Sequence, residues 1–343
     1  MRNFTYNGIQ ELTICTALPI PRNNEADSPK SVAVLEQTTS DLGFLAAQNI
    51  IQSKSIDPDA IGLVIFLSKT PDYRGPATAM VLQNRLQIPQ DCIVYDSPTG
   101  NAGFENAINL GSSLLSATHK KYALVVFGDT ISKQLSDADM QQLCFQDGAT
   151  AILLQKGETS VPVSVSTMAL SKDWSSFMVP SGGFRNNERF FNNLEFKRNT
   201  QNAEHVHLNY TKIEMALKPE LISIKNKIIE LIDKEYVSNF AILINLLVPE
   251  LENELALLFP SETYFNRVYL SSNYVPQTMA STIALMIEKI ASKNKQKPFQ
   301  VVSVSLGEGL SVNIGSMVVR ESTVLESVYS DMYYDNGFVT HDM

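Results

Sequence analysis

The side chains best suited to covalent or metal chemistry are few in this sequence and stand far apart. The three cysteines, Cys15, Cys92 and Cys144, are widely spaced. None forms a CxxC pair, so neither a zinc site nor a disulfide framework follows from them. Each reads as a small buried hydrophobe. His205 and His207 alternate, and on an extended segment both imidazoles fall on one face. No Asp, Cys or third His lies at ligand spacing, so no metal site is expected. His119 precedes Lys120 and Lys121 at a helix end, and His341 lies in the final residues. Gly307-Glu308-Gly309 precedes a strand and opens no helix, which excludes a dinucleotide fingerprint. Ser181-Gly182-Gly183 lacks the strand-turn-helix setting of a nucleophile elbow. The residues alone therefore support no serine hydrolase and no dinucleotide enzyme, and no cofactor is expected.

The elements that must position any site are clearer. The chain has 343 residues, 44% hydrophobic and 18% charged. That is a folded, core-building composition, long enough for two halves of roughly 150 residues. The net charge of -9, without long basic runs, argues against a nucleic-acid partner. The longest apolar runs, such as residues 240–248, reach about half of the ~20 residues a spanning helix needs. No membrane span is expected, and the first residues lack a signal-peptide pattern. The cytoplasm is the expected compartment.

Residues 40–53 have apolar positions at helical spacing, with Ser40 as N-cap. The run 61–68 (IGLVIFLS) reads as a strand buried on both faces. Then come a helix over 76–86, a short strand over 93–96, a small-residue helix over 102–116 and a second buried strand over 122–128. The same order returns later: a helix over 218–234, a buried strand over 240–248, helix 251–259, a short strand over 268–271, helix 278–293 and closing strands over 300–307 and 312–320. This is a structural repeat of α/β type, a sheet covered by helices on both faces. We expect one half over residues 1–157 and a second over 158–320. The polar, aromatic stretch 173–200 reads as an insertion capping one side. The tail 321–343 holds five acids and no Lys or Arg, and reads as an appended arm, flexible or packed on a partner.

Five blocks then carry a resemblance: YDSPTGNAGF (95–104) with the small-residue helix behind it, YALVVFGD, FQDGATAILL, LVPELEN and SLGEGLSVNIGSMVV. In this order and spacing, over residues 32–320, the chain resembles the ketoacyl-ACP synthase III, chalcone-synthase-like branch of the thiolase superfamily. The resemblance implies a five-layered αβαβα fold of two pseudo-repeated halves and a tight dimer. It also implies acyl transfer to a cysteine at a helix N-terminus, followed by decarboxylative condensation assisted by a His and an Asn.

Placed on this sequence, the family's nucleophile position is Asn101, behind Asp96 and before Ala102-Gly103-Phe104. The His position is Glu250, with Asn253 matching further on. The second-half Asn position is Pro276, or Gln277 if the alignment slips by one. A glycine of the oxyanion turn is Glu308, and Gly75 falls near a bulky tunnel-end position. An amide forms no thioester, and a carboxylate repels an enolate. No catalytic position is intact. The resemblance thus implies a non-condensing chain, a partner subunit of an acyl-chain (fatty acid or polyketide) synthase, as homodimer or as heterodimer with an active ketosynthase. It extends to docking of an acyl carrier protein. The family's adenine-gripping segment has no clear counterpart in the short stretch 19–29, which puts coenzyme A binding in doubt. Two alternatives stay open. One is a repurposed acyltransferase or thioester hydrolase, with Asn101, Glu250 and Glu308 facing one pocket and a carboxylate as general base. The other is a conventional 3-oxoacyl-ACP synthase, should the blocks align differently.

Overall fold

The computed structural model describes residues 1–22, 30–135, 145–158, 163–180, 205–232, 239–260, 264, 266–294, 297–335 and 337. Its strands and helices follow the hydrophobic pattern. The first-half elements are β1 (Arg2–Tyr6), β2 (Ile9–Leu18), α1 (Thr39–Ser53), β3 (Ile61–Leu67), α2 (Thr78–Arg85), β4 (Ile93–Ser97), α3 (Gly103–Leu115), β5 (Tyr122–Asp129) and β6 (Gly148–Lys156). There follow β7 (Val163–Ala169), the two-residue strands β8 (Phe177–Met178) and β9 (His207–Leu208), α4 (Tyr210–Leu217), α5 (Leu221–Leu231), β10 (Phe240–Asn245), α6 (Pro249–Leu257), β11 (Val268–Leu270), α7 (Thr282–Ala291), β12 (Phe299–Gly307), β13 (Ser311–Val319) and β14 (Val328–Tyr329).

Two six-stranded sheets result, ordered β14-β2-β6-β5-β3-β4 and β1-β7-β13-β12-β10-β11. Five strands of each share one topology. In the first sheet β2·β6 and β6·β5 are antiparallel, β5·β3 and β3·β4 parallel. In the second, β7·β13 and β13·β12 are antiparallel, β12·β10 and β10·β11 parallel. Strands β3, β5 and β10 are buried along their whole length, because helices cover both faces. Each sheet takes its sixth strand from the far end of the chain: β1 joins the second and β14 the first.

Three apolar cores separate the layers. The central one packs α3 and α7 between the inner faces of both sheets. The outer cores place α1 and α2 on the first sheet, and α4, α5 and α6 on the second. The order is therefore helix, sheet, helix, sheet, helix, as expected. Close approach needs a small residue at one point in the central layer. A Cβ on Gly103 would lie 2.7 Å from the Ala280 Cβ, so the front of α3 nearly touches the turn that leads into α7.

The tail departs from the expected appended arm. Its described residues pack on the chain's own first sheet: β14 pairs with β2, and the Arg22 guanidinium meets Asp331 at 2.6 Å. Further along, the Arg85 guanidinium lies 4.4 Å from the Phe44 ring centroid and 4.7 Å from that of Tyr334. Valine, leucine and tyrosine side chains in 324–334 make this packing favourable despite the local negative charge. Of the insertion 173–200, residues 173–180 are described, and the rest lies outside the described residues.

Candidate functional site

The parallel strands β3, β5 and β10 end on polar residues, and those ends are where open α/β sheets place ligands. Strand β3 runs into Ser68 and Lys69, β5 ends on Asp129, and β10 ends on Asn245. The β12–β13 hairpin brings Glu308 to the same place, on a turn where Gly309 and Leu310 both adopt positive φ.

Asn101 lies just ahead of α3 and is fully buried. Its Nδ2 donates to the Leu306 carbonyl at 2.7 Å, and its Oδ1 accepts from Asn245 Nδ2 at 3.2 Å. Asn245 Oδ1 in turn accepts from Gln277 Nε2 at 2.8 Å and from Ser271 Oγ at 3.2 Å. Gln277 Oε1 accepts from the Thr282 hydroxyl at the start of α7. Of the two positions left open by the alignment, Gln277 enters this network, and Pro276 is exposed. Both ends of the Asn101 amide are thus held by the fold.

Glu308 occupies the front of α3. Its Oε2 accepts from the Gly100 N–H at 3.2 Å, and its Oε1 from the Asn101 N–H at 3.1 Å. Lys69 Nζ lies 3.1 Å from the same Oε1, and 5.2 Å from the Phe177 ring centroid. The backbone N–H groups and helix dipole favour an anion here, and the chain supplies one itself. Gly100 is required for the fit, because a Cβ there would lie 2.1 Å from Glu308 Oε1. Asp129 is buried behind the pair. Its Oδ1 accepts from Lys69 N–H at 2.9 Å and Ser68 Oγ at 3.1 Å, while Oδ2 has no partner among the described residues. Burial pushes its carboxyl up to about 7, Lys69 opposing and Glu308 adding to the rise.

Glu250 is not brought to this cluster. It lies exposed in the first turn of α6. The acid that turns inward there is Glu252, which accepts from Leu246 N–H (2.9 Å), Ser271 Oγ (2.7 Å), Ser272 N–H (3.1 Å) and Ser272 Oγ (2.7 Å). Burial raises its pKa, and the serine hydroxyls hold it back. Glu105, one helical turn after Asn101, is buried against Ser303 and Ser305, at 2.6 and 3.0 Å, and burial lifts its carboxyl to about 7. Gly75 sits on an exposed loop with open space where its Cβ would be, joined to Pro76 by a cis peptide.

A cleft of about 830 Å³ opens above the Lys69–Glu308 pair. Phe66, Tyr73, Val94, Trp174, Phe177 and Met178 wall it. Asn101 does not line it; Glu308 stands between them.

The cysteines are not placed for nucleophilic work. Cys15 is buried, and burial pushes its thiol up to about 11. The Cys92 thiol is also raised by burial, and Cys144 lies outside the described residues. His207 is exposed and His205 half-buried, and among the described residues no group of three or more His, Cys, Asp or Glu could hold a metal ion. Ser181 to Gly183, His341 and most of 19–29 lie outside the described residues. Among the described residues no helix is long and apolar enough to cross a membrane.

Lys69, Asp129, Asn245 and Glu252 were missed by sequence reasoning. A usable signal existed for the first three: a polar residue closing an otherwise apolar parallel strand.

Comparison with known proteins gives a consistent result. Residues 95–171 match the family model of 3-oxoacyl-[acyl-carrier-protein (ACP)] synthase III. The structure resembles a 3-oxoacyl-(acyl-carrier protein) synthase from Burkholderia xenovorans LB400, with a TM-score of 0.81 and 22% identity over 96% of this chain and 99% of that one. It resembles the 3-oxoacyl-(acyl carrier protein) synthase III of Pseudomonas aeruginosa PAO1 at 0.69 and 18%, over 92% and 98%. The priming β-ketosynthase of the R1128 polyketide biosynthetic pathway matches at 0.70 and 14%, over 93% and 97%. At these identities the likeness establishes the fold. The chain has the thiolase-like α/β fold of these synthases, and the resemblance read from its blocks holds.

Proposed function

We propose that this chain is a divergent 3-oxoacyl-ACP synthase III-like protein that does not condense acyl groups by itself, and serves as a partner subunit in fatty acid or polyketide assembly. One observation carries this reading: the Glu308 carboxylate sits on the N–H groups of Gly100 and Asn101, with Lys69 closing it in. A thioester carbonyl needs donors at that place when its oxygen gains negative charge. Here those donors already hold an anion, and the residue behind them is an amide with no nucleophilic character. The expected His place holds the exposed Glu250, and Gln277 is tied to Asn245 and Thr282.

Strand β4 suits association with a second subunit. It is the edge of the first sheet, and Ile93, Tyr95 and the nearby Met80 of α2 are exposed. A homodimer or a heterodimer with an active ketosynthase is the assembly we propose, in the cytoplasm, the compartment that the free thiols Cys15 and Cys92 suit. Two carboxylates working as an acid–base pair find no support, since Glu250 and Glu308 do not meet.

Native pull-down of the tagged chain from its own cells, read by mass spectrometry, tests the partner reading. A stoichiometric homologue with intact Cys, His and Asn is the expected result. Condensing activity from the purified chain alone would overturn it.

A further inference from the structure

The cleft over Lys69 and Glu308 has an unusual combination of walls and floor. At about 830 Å³ it is in the size range of small-molecule sites. Its walls are apolar and aromatic. Its floor carries the Glu308 carboxylate paired with the Lys69 ammonium, with Asp129 buried behind them and out of the cleft. The place where an anionic head group would gain most, the N–H groups of Gly100 and Asn101, is filled by Glu308. Two further charges line the cleft. Asp96 spends its carboxylate on the N–H groups of Thr78 and Ala79, and Arg74 has an interaction of its own.

We infer that this cleft binds an uncharged amphipathic ligand, an apolar body with a neutral polar head such as an amide or alcohol, and that Glu308 turns away ligands with a carboxylate head. An apolar chain gains by covering Tyr95 and Trp174, which line the cleft and are exposed. A neutral amide head donates an N–H to Glu308 without disturbing Lys69. A carboxylate head meets Glu308 as a like charge, and displacing Glu308 strips a buried ammonium of its partner. The inference rests on the proposed function only in taking Glu308 as seated, and its readout is binding, so it fails independently of any condensation assay.

Trp174 is the only tryptophan of the chain and lines the cleft, so its fluorescence reports occupancy. The full chain is titrated with octanamide and with octanoate at about pH 8, where octanoate is fully ionised. Octanamide should bind at least about ten-fold more tightly, the least expected from a like-charge clash. Glu308→Gln should bring the two ligands close to equal, and Lys69→Met should widen the gap. Octanoate binding to the wild type as tightly as octanamide would overturn the inference. So would a Trp174 signal that neither ligand moves, or a preference that neither variant changes.

Discussion

Two carboxylates at opposite sides of the same polar network, one buried and one half-buried, behave differently. Glu252, at the foot of α6, is held by four donors from Leu246, Ser271 and Ser272, and none of them is charged. Glu308, on the floor of the cleft, is held by two backbone N–H groups and an ammonium, and it keeps a face toward the cleft. The first joins the end of β10 to the turn after β11, so its work is structural. The second occupies backbone N–H groups that could otherwise serve a ligand atom. The lesson is that burial of an acid does not mark a site; what matters is whether its partners could serve a ligand instead.

Substitutions can break this contrast, and the largest effect should come from Glu252→Ala. Removing that carboxylate leaves several buried donors without an acceptor, at a cost of about 3 kcal/mol in urea denaturation. A loss much below 1 kcal/mol would mean that Glu252 holds nothing of importance. Next in size is the pH response of the acids left without a full set of partners. Burial raises both Glu105 and Asp129 to about 7, from ordinary values near 4 in the unfolded chain. A carboxyl whose pKa rises on folding binds its proton more tightly in the native state. Its stabilising share is complete below about pH 4 and is lost as pH climbs through the folded value. Native stability should therefore decline from about pH 4 to 7 on this account, and Glu105→Gln should remove part of the slope.

Glu308→Gln should cost less, on the order of 1 kcal/mol, because its remaining carbonyl oxygen still accepts from the backbone. It should also lower the Asp129 pKa by removing a neighbouring like charge, which carboxyl NMR of the variant would read. An unchanged or higher Asp129 value would break the proposed coupling of the two acids. The smallest effect belongs to Glu250→Gln. An exposed side chain in the first turn of α6 should leave the denaturation midpoint where it was, and a clear shift would show that Glu250 does more than face solvent.

The repeat was legible because it is written in apolar periodicity. Runs such as IGLVIFL and FAILIN can only be strands covered on both faces, and their order fixed the layers. On the resemblance Asn101 and Glu308 read as departures within family blocks, and the fold brings the two together, the Asn101 N–H donating to Glu308. Glu250 shows where that logic stops. On a helix, positions two apart point in different directions, so Glu250 faces solvent while Glu252 turns inward. Nothing in VPELEN states which acid faces the core until α6 is docked. Lys69 and Asp129 escaped notice because their importance comes from a hairpin some 180 or more residues away delivering Glu308 to the Lys69 ammonium, with Asp129 behind. The tail misled through its acidity, since the contacts that hold its described residues include the β14 pairing of Val328, the Tyr334 ring against Arg85, hydrogen bonds from Gln37 to the Ser330 and Met332 carbonyls and the Arg22–Asp331 ion pair.

The central claim is that Asn101 and the seated Glu308 leave this chain unable to carry an acyl group. Intact-protein mass spectrometry after incubation with an acyl thioester tests it most directly, on the wild type and on Asn101→Cys. The account predicts no acyl adduct on the wild type. It also predicts no condensation product from Asn101→Cys, since Glu308 still fills the donors that an oxyanion would need. A stoichiometric acyl adduct on the wild type, or condensation restored by that single substitution, would contradict it.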